Sequence, residues 1–326
     1  MIKAKWLSVA ASAVIAVAIS GTSAMAQDKP VYGVLMKTLS NPFWGAMELG
    51  VRDGASAAGV EYFLQAVESD QAAEPQLNTC NTMLERKPAV MITAAINSTI
   101  LLPCLKRANE MNIPVVDLDG NLDPKISADA GVKIAFQIGS DNVAAGAKGA
   151  DYLASVLGAD AKGEVLVIEG LAGNVTGKKR ATGFADQLAK VAPGLKIIAS
   201  LPGDWDRQKA ANITNDTLTR SPDLVAIFAA NDGMALGAVE AARAAGKDKI
   251  IIIGVDGNSD AVKAINEGRL NASVAQLPYL VGKQAVENAA KVLKGEKVDE
   301  FIYVQTLVLT KAVMDAKTEP MLEFVK

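Results

Sequence analysis

The chain has 326 residues with a net charge of −3, 21% charged residues and no histidine. This length fits two domains of ordinary size better than one. Without histidine there is no Ser-His-Asp or Cys-His catalysis and no His-ligated zinc or haem, and two cysteines cannot form a four-thiolate metal site. Lys and Arg total 33 against 36 Asp and Glu, so no basic excess favours nucleic acid. We expect no cofactor and no metal.

The first 26 residues have the pattern of a secretory signal peptide. Lys3 and Lys5 give a positive start, an apolar run follows, and small residues end at Ala26. The apolar run is shorter than the ~20 residues of a transmembrane helix, and no other stretch reaches that length. We therefore predict cleavage near Ala26 and an exported chain that does not insert into a membrane. The alternative is an N-terminal anchor helix.

Short apolar runs alternate with longer amphipathic stretches along the rest of the chain. The predicted strands begin at Val31, Val60, Ala89, Pro114, Ile134, Glu164, Lys196, Leu224, Ile250 and Asn271. The predicted helices span about 42–58, 73–86, 98–111, 142–157, 175–191, 207–220, 233–245, 259–267 and 280–294. The strands are continuous and β-branched, which indicates a parallel sheet covered by helices on both faces. Two successive series predict an α/β fold of two doubly wound parallel-sheet lobes.

The two cysteines, Cys80 and Cys104, lie in the second and third predicted helices. Right-handed crossovers place both helices on one face of the first sheet, so the sulfur atoms could meet. Export to an oxidising compartment favours a disulfide between them. The alternative is two small buried apolar side chains. No histidine is present to activate either thiol, so we expect no catalytic cysteine.

Residues that directly follow strands form the candidate site, because ligands of open parallel sheets bind beyond the carboxyl ends of the strands. Nearly every predicted strand end carries an amide, a carboxylate, a cation or an aromatic ring. Carboxylates and amides bond hydroxyl groups in pairs, and flat rings cover the C–H faces of a sugar. Trp44 and Trp205 both follow strands, one in each lobe. For either ring alone, a place in the core is the alternative.

Two segments resemble known motifs without matching them. Gly170–Lys179 follows a strand and opens a helix, but the spacing from Gly173 to Gly177 is too short for a phosphate loop. A strand-to-helix turn that needs small residues is the favoured interpretation. The segment 117–123 begins like a calcium loop but lacks the required Gly and Glu. Neither segment predicts a nucleotide or metal site.

Paired carboxylates raise the alternative of an exported carbohydrate-active enzyme. Asp119 and Asp256 follow strands in different lobes, and glycoside hydrolysis uses two acids. A general acid needs an apolar setting that raises its pKa. Charged neighbours such as Lys37 and Arg180 are instead expected to hold both acids ionised. We therefore predict that the chain is not an enzyme.

Several ordered segments carry a resemblance to a known family. They are SNPFW at 40–44, GSDNVAAGAKGA at 139–150, EGLAGNVTGKKRATG at 169–183, DWDR at 204–207, ANDGMALGA at 230–238, GVDG at 254–257 and AQLP at 275–278. With these segments the chain resembles the periplasmic sugar-binding proteins of the ribose/galactose type, the receptors of bacterial ABC importers. The segment 37–44, taken with DWDR, is most similar to D-allose-binding proteins. A transcriptional regulator of the same fold would need an N-terminal helix-turn-helix, where this chain has the signal-peptide pattern.

The resemblance implies a type I periplasmic binding protein, with two lobes joined by a three-segment hinge near Gly139, Gln276 and Gln305. The implied N-terminal lobe is 27–138 plus 277–305, and the C-terminal lobe is 139–276 plus 306–326. It also implies a periplasmic monomer that closes on a monosaccharide or polyol and delivers it to an importer's permease and ATPase. No partner nucleic acid is expected.

The resemblance also implies which side chains bind the sugar. They are Lys37, Asn41, Phe43, Trp44 and Asp119 from the first lobe, Arg180, Trp205, Asn231 and Asp256 from the second, and Gln276 at the hinge. Ribose-type members place Arg directly after the acid at 119, where this chain has Gly120. This difference weakens ribose as the ligand. D-allose or a similar hexose is expected, and a ketose, pentose or sugar alcohol remains the alternative.

Overall fold

Two six-stranded sheets organise the chain into two lobes. The structure is a computed structural model that describes residues 1–2 and 29–326, so the predicted signal peptide lies almost entirely outside the described residues. The first sheet has the strand order β11-β5-β4-β3-β1-β2 and the second has the order β12-β10-β9-β8-β6-β7. We call the half built on the first sheet the first lobe and the other half the second lobe.

The elements follow one another in the order that the apolar pattern predicts. The first series is β1 (Val31–Leu35), α1 (Pro42–Ala58), β2 (Glu61–Gln65), α2 (Ala73–Leu84), β3 (Val90–Thr93), α3 (Leu102–Glu110), β4 (Val115–Leu118), α4 (Pro124–Asp129) and β5 (Ile134–Ser140). The second series is α5 (Asn142–Leu157), β6 (Gly163–Glu169), α6 (Val175–Val191), β7 (Leu195–Pro202), α7 (Arg207–Arg220), β8 (Leu224–Ala229), α8 (Asp232–Ala244), β9 (Ile251–Asp256), α9 (Ser259–Asn266) and β10 (Ala272–Ala275). The chain ends with α10 (Pro278–Leu293), β11 (Phe301–Val304), β12 (Leu307–Leu309), α11 (Lys311–Ala316) and a 3-10 helix (Pro320–Phe324).

The predicted α/β fold of two parallel-sheet lobes is confirmed, with differences at short elements. The predicted start of the third helix is too early, because Pro103 has no N–H to donate to a preceding turn and is tolerated only in the first turn of α3. The sequence interpretation missed α4, α11, β11 and β12. These elements are short, and several of their residues are half exposed, so neither period is visible in the sequence.

The chain passes between the lobes at three places. These lie between β5 and α5, between β10 and α10, and between β11 and β12, next to the predicted hinge positions. Strand β11 runs parallel to β5, whereas β12 pairs antiparallel with β10. The physical reason is direct continuation. A strand that leaves one sheet at its carboxyl edge enters the facing sheet at that sheet's carboxyl edge and must run against its strands.

Helix α10 packs closely against α1, the helix that follows the first strand. A Cβ atom at Gly50 would lie 1.9 Å from the Tyr279 carbonyl oxygen, and one at Gly282 would lie 2.2 Å from that of Met47. Only glycine permits this backbone approach. Helix α10, which follows the second-lobe elements in the chain, therefore completes the packing of the first lobe.

Within the described residues, no helix has the length and apolar character to cross a bilayer.

The two cysteines are bonded to each other in the structure. Cys80 lies on α2 and Cys104 on α3, with their Cα atoms 6.2 Å apart. Both side chains are buried in the first lobe. The disulfide interpretation is therefore supported over that of two free buried thiols, and the bond ties together two helices on one face of the first sheet.

We expect the double variant Cys80→Ala/Cys104→Ala to unfold at lower denaturant concentration than the oxidised wild type. Closing a chain segment of this length restricts the unfolded state, and losing the cross-link costs about 3 kcal/mol of unfolding free energy. Equilibrium urea unfolding measures the change. Reduced wild type is the matched control, and equal midpoints for oxidised wild type and the variant would contradict a stabilising bond.

One carboxyl is deeply buried between strands of the first sheet. Asp117 on β4 accepts hydrogen bonds from Gln137 Nε2 at 2.6 Å and from the Leu122 N–H at 3.0 Å, while its Oδ1 atom has no partner in residues 29–326. Burial raises the pKa of Asp117 to about 7, although these two hydrogen bonds oppose the shift. The folded protein therefore binds a proton here at a pH at which the unfolded chain has released it.

This raised pKa predicts a specific pH dependence of stability. Between pH 4 and 7 the folded state holds more protons at Asp117 than the unfolded state. The free energy of unfolding therefore falls as pH rises, by up to about 1.4 kcal/mol per pH unit. Asp117→Asn should flatten this slope relative to wild type in urea titrations at several pH values. An unchanged slope would mean that Asp117 is ionised in the folded state across this range.

Candidate functional site

The carboxyl ends of both sheets face each other across a cavity. Its lining residues come from both lobes and are Lys37, Asn41, Phe43, Trp44, Asp70, Asp119, Thr176, Arg180, Trp205, Asn231, Asp256 and Gln276. Every side chain that the sequence analysis singled out as a ligand contact lies in this set. Asp70 and Thr176 were missed.

The start of α1 sets the first-lobe wall of the cavity. Asn41 caps the helix by accepting a hydrogen bond from the Phe43 N–H at 3.0 Å, which is the usual role of Asn before a helix. The helix then begins with Phe43 and Trp44, whose ring centroids are 5.0 Å apart in an edge-to-face arrangement. Lys37 Nζ lies 5.1 Å from the Trp44 ring centroid, within the range of a cation–π contact.

Asp119 follows β4 and reaches the cavity through an unusual backbone conformation. Its φ is +72°, which Asp tolerates better than most residues. Its Oδ2 atom lies 3.7 Å from Lys37 Nζ and accepts a hydrogen bond from Asn121 Nδ2 at 3.0 Å. Gly139 on the neighbouring strand β5 allows the Asp119 backbone to approach, since a Cβ at Gly139 would lie 3.1 Å from it. The carboxylate is thus oriented by one cation and one amide.

A buried chain of polar groups forms the second-lobe wall. Arg180 donates to Asn142 Oδ1 at 2.9 Å, to the Ala230 carbonyl at 2.6 Å and to Asp256 Oδ1 at 3.2 Å. Gln276, at the second crossing between lobes, donates to the same Asp256 oxygen at 2.6 Å. Breaking such a buried pair by removing one partner is costly, because the other charge stays buried. These hydrogen bonds hold Arg180, Asp256 and Gln276 against one another in the second-lobe wall.

The Gln276 side chain keeps one acceptor available beside the cavity. Its Nε2 is used by Asp256, while its Oε1 is buried and has no hydrogen-bond partner among the described residues. Asn231 shows the opposite use of an amide, because its Oδ1 caps α8 by accepting from the Met234 N–H at 2.8 Å. Its amide nitrogen remains to serve as a donor. The cavity thus offers acceptors, donors and charged groups of both signs.

The carboxyl of Asp256 is less acidic than the sequence suggested. Burial raises its pKa to about 7; Arg180 and the Gln276 hydrogen bond oppose the shift, and Asp119 adds to it. The expectation that charged neighbours hold this acid well ionised was therefore wrong in its balance, because the cost of burial outweighs the nearby cation. Asp232, directly behind, is also buried, and its pKa is raised by burial first and by Asp256 second.

Asp232 supports the turn that carries Asp256. It accepts hydrogen bonds from the N–H groups of Gly257 and Asn258, each at 2.8 Å, and from Ser273 Oγ at 2.6 Å. Asp256 itself has a φ of +131°, which is rare outside glycine. Three donors on one buried carboxyl hold this strained turn in place. The Asp256 side chain at this turn lines the cavity.

Two glycines of the motif-like segment 170–179 pack against the Trp205 indole. A Cβ at Gly170 would lie 2.1 Å from the indole Cη2 atom, and one at Gly177 would lie 3.1 Å from it. Asp204 and Trp205 both have positive φ, +53° and +63°, so the chain turns sharply to place the ring there. The preference for small residues is confirmed, and the physical reason is the indole that packs on them. Arg180 lies 5.8 Å from the ring centroid.

The two missed residues come from different causes. Asp70 lies in the loop after β2, at the same sheet edge as the other site residues, and burial raises its pKa. The polar run at 68–71 follows a predicted strand and could have been read by the same rule. Thr176 lies in the first turn of α6 and donates to Asn121 Oδ1 at 2.7 Å. No sequence signal marks that contact, because it joins the two lobes.

Hydrogen bonds between side chains or backbone groups of opposite lobes close the cavity. Thr176 donates to Asn121, Asn174 Nδ2 donates to the Ile96 carbonyl at 3.3 Å, Asn258 Nδ2 donates to Asn41 Oδ1 at 3.4 Å, and Gln71 Nε2 donates to the Asp204 carbonyl at 3.3 Å. The two lobes are therefore closed on the cavity in this structure.

Among the described residues, no three His, Cys, Asp or Glu side chains are grouped to hold a metal ion.

Known proteins share this architecture. The family model described as a periplasmic binding protein domain matches residues 32–297. The D-allose-binding periplasmic protein of Escherichia coli is 37% identical over 86% of this chain and 92% of its own length. The ribose import binding protein of the same species is 38% identical over 88% of this chain and 93% of its own.

A solved structure agrees with these relatives. It is a periplasmic solute binding protein of an ABC transporter from Actinobacillus succinogenes with bound D-allose. It superposes with a TM-score of 0.84 at 32% identity, covering 88% of this chain and 100% of its own. These relatives are substrate-binding proteins of ABC importers and not enzymes, which confirms that prediction. A match of this extent shows that the chain belongs to the periplasmic binding protein domain family.

Proposed function

We propose that this protein captures a monosaccharide, D-allose or a similar hexose, between its lobes and delivers it to the permease and ATPase of an ABC importer. The observation that carries the proposal is the cavity between facing carboxyl sheet edges, where Trp44 and Trp205 accompany buried hydrogen-bonding groups from both lobes. Indole faces pack against the C–H groups of a sugar, and carboxylates and amides bond its hydroxyls. The relatives named for D-allose and ribose support this class of ligand.

The ten residues proposed as sugar contacts divide between the lobes. Lys37, Asn41, Phe43, Trp44 and Asp119 act from the first lobe, Arg180, Trp205, Asn231 and Asp256 from the second, and Gln276 from the hinge. Sugar binds to one lobe, and closure brings in the other set. Because only the closed form makes both sets of bonds, the ligand favours closure. When the lobes open, the sugar leaves the site chemically unchanged.

Asp70 is proposed as a further contact for a sugar hydroxyl. It lines the cavity next to the first-lobe set, and Lys37 and Asp119 are the charged groups that act on its carboxyl. A carboxylate has two acceptor oxygens and can therefore accept hydrogen bonds from more than one hydroxyl. A ligand with hydroxyls on both ring faces would use acceptors from both lobes.

A local packing constraint at Gly120 weighs against the arrangement expected of ribose-type members. Gly120 has a φ of +63°, and a Cβ there would lie 3.1 Å from the Phe301 ring. The arginine that ribose-type members carry directly after the acid would meet both a strained backbone and this ring. The cavity therefore lacks that cation, and a site built on different donors selects a different pattern of hydroxyls.

The proposed setting follows from the N-terminal pattern and the family. We place the mature chain in the periplasm as a monomer, after cleavage near Ala26. The proposed lobe boundaries are 27–138 plus 277–305 and 139–276 plus 306–326. The three crossings between the sheets are consistent with these boundaries.

A panel of sugars tests the function. We expect D-allose or a related aldohexose to raise the melting temperature most among pentoses, hexoses, ketoses and polyols, because binding to the native state alone stabilises it. Asp256→Asn is the matched control: it preserves shape but replaces a carboxylate oxygen with an amide donor, and its shift should vanish. A ketose or polyol in first place would reassign the ligand. No shift with any sugar would refute the proposed class.

The packing of the Trp205 indole on Gly170 gives a second test. Gly170→Ala should displace the indole and weaken sugar binding by more than about 1 kcal/mol, about fivefold or more, because the ring loses its stacking geometry. Gly45→Ala is the matched control, since a Cβ at Gly45 has no neighbour within 4 Å. Isothermal titration calorimetry measures both. Equal affinities for Gly170→Ala and wild type would show that the indole does not contact the sugar.

A further inference from the structure

Two of the contacts between the lobes lie side by side at the start of α6. Thr176 and Asn174 stand on the second lobe, and Asn121 and Ile96 stand opposite them on the first lobe. We call these four residues the latch. All four are buried, whereas the Gln71 contact with Asp204 is exposed. The segment before α6 was singled out by its motif-like sequence, and the proposed sugar contacts leave Asn174 unused.

Each amide of the latch is oriented by its own lobe. The Asp119 carboxylate is a hydrogen-bond acceptor and not a donor, so it pairs with the amide nitrogen of Asn121 rather than with its oxygen. Asn121 Nδ2 donates to Asp119 Oδ2 at 3.0 Å. The Asn121 carbonyl oxygen is then turned to accept the Thr176 hydroxyl at 2.7 Å. The first lobe therefore presents an acceptor that is already aimed at the second.

Asn174 is oriented in the opposite sense. Its Oδ1 caps α6 by accepting from the Gly177 N–H at 3.1 Å, which leaves its amide nitrogen to donate. That nitrogen contacts the Ile96 carbonyl of the first lobe at 3.3 Å. The helix cap and the contact between lobes use different atoms of one side chain. Both halves of the latch therefore exist before closure and lose little side-chain freedom when they meet.

We propose that the latch stabilises the closed form independently of which sugar is bound. This inference rests on the proposed function for its kinetic test, but the contacts join protein to protein. Thr176 and Asn174 are thus positioning residues: they hold the lobes together around the ligand. A bond made only in the closed form lowers the rate of opening, and hence of ligand dissociation, while association to the open form is unaffected.

Stopped-flow tryptophan fluorescence with D-allose and a second bound sugar of the panel tests the latch. Thr176→Val keeps the shape of the side chain and removes the hydroxyl. We expect the dissociation rate to rise about threefold to tenfold, by the same factor for both sugars, with an unchanged association rate. Thr176→Ser should restore the wild-type rate. A factor that differs between the sugars would overturn the proposal in favour of direct contact between Thr176 and sugar.

A double-mutant cycle separates the latch from general damage to the fold. In an Asn121→Ala background, Thr176→Val should have no further effect, because its acceptor is already gone. Gln71→Ala removes the exposed contact between lobes and should change the rate by less than about twofold. Additive effects of Thr176→Val and Asn121→Ala would overturn the proposal.

A measurement without sugar keeps the two proposals apart. In ligand-free protein, small-angle X-ray scattering should give a larger radius of gyration for Thr176→Val than for wild type, since fewer molecules are closed. If wild type binds no sugar, the proposed function fails while this comparison still tests the latch. Equal radii together with equal dissociation rates would refute the latch in a protein that does bind sugar.

Discussion

Every part of the site depends on one constraint: the carboxyl ends of two parallel sheets face each other. Residues that follow parallel strands gather at one edge of a sheet. The three crossings bring two such edges together, so Asp119 and Asp256 meet across one cavity although they are distant in sequence. The antiparallel strand β12 is a direct consequence of the same arrangement. A single sheet of this type would have offered only half of the groups.

Burial of charge is the energetic counterpart of this arrangement. Asp117, Asp232 and Asp256 all have pKa values raised by burial, and each is surrounded by donors that limit the cost. Two of them shape the cavity: Asp232 holds the turn of Asp256, and Asp256 lines the cavity with Arg180. Preorganised charged groups bind hydroxyls strongly because they need not reorganise when a ligand arrives.

Glycines in this molecule define space for specific neighbours. Gly170 admits the Trp205 indole, Gly139 admits the backbone of Asp119, and Gly50 admits α10. The sequence showed that small residues were needed before α6, but the neighbour that requires them is far along the chain. Thr176 was missed for the same reason, since its partner Asn121 belongs to the other lobe. Contacts between distant segments leave no local period or spacing.

The sequence by itself determined the two parallel-sheet lobes, their main helices and the strand-end residues that line the cavity, because continuous β-branched runs and the strand-end rule are local properties. The segment resemblance supplied the hinge positions. Only the tertiary structure decided the short elements β11 and β12, the Cys80–Cys104 bond, the raised pKa of Asp256 and the contacts that close the lobes. Each of these depends on burial or on neighbours from distant parts of the chain, which a linear pattern does not record.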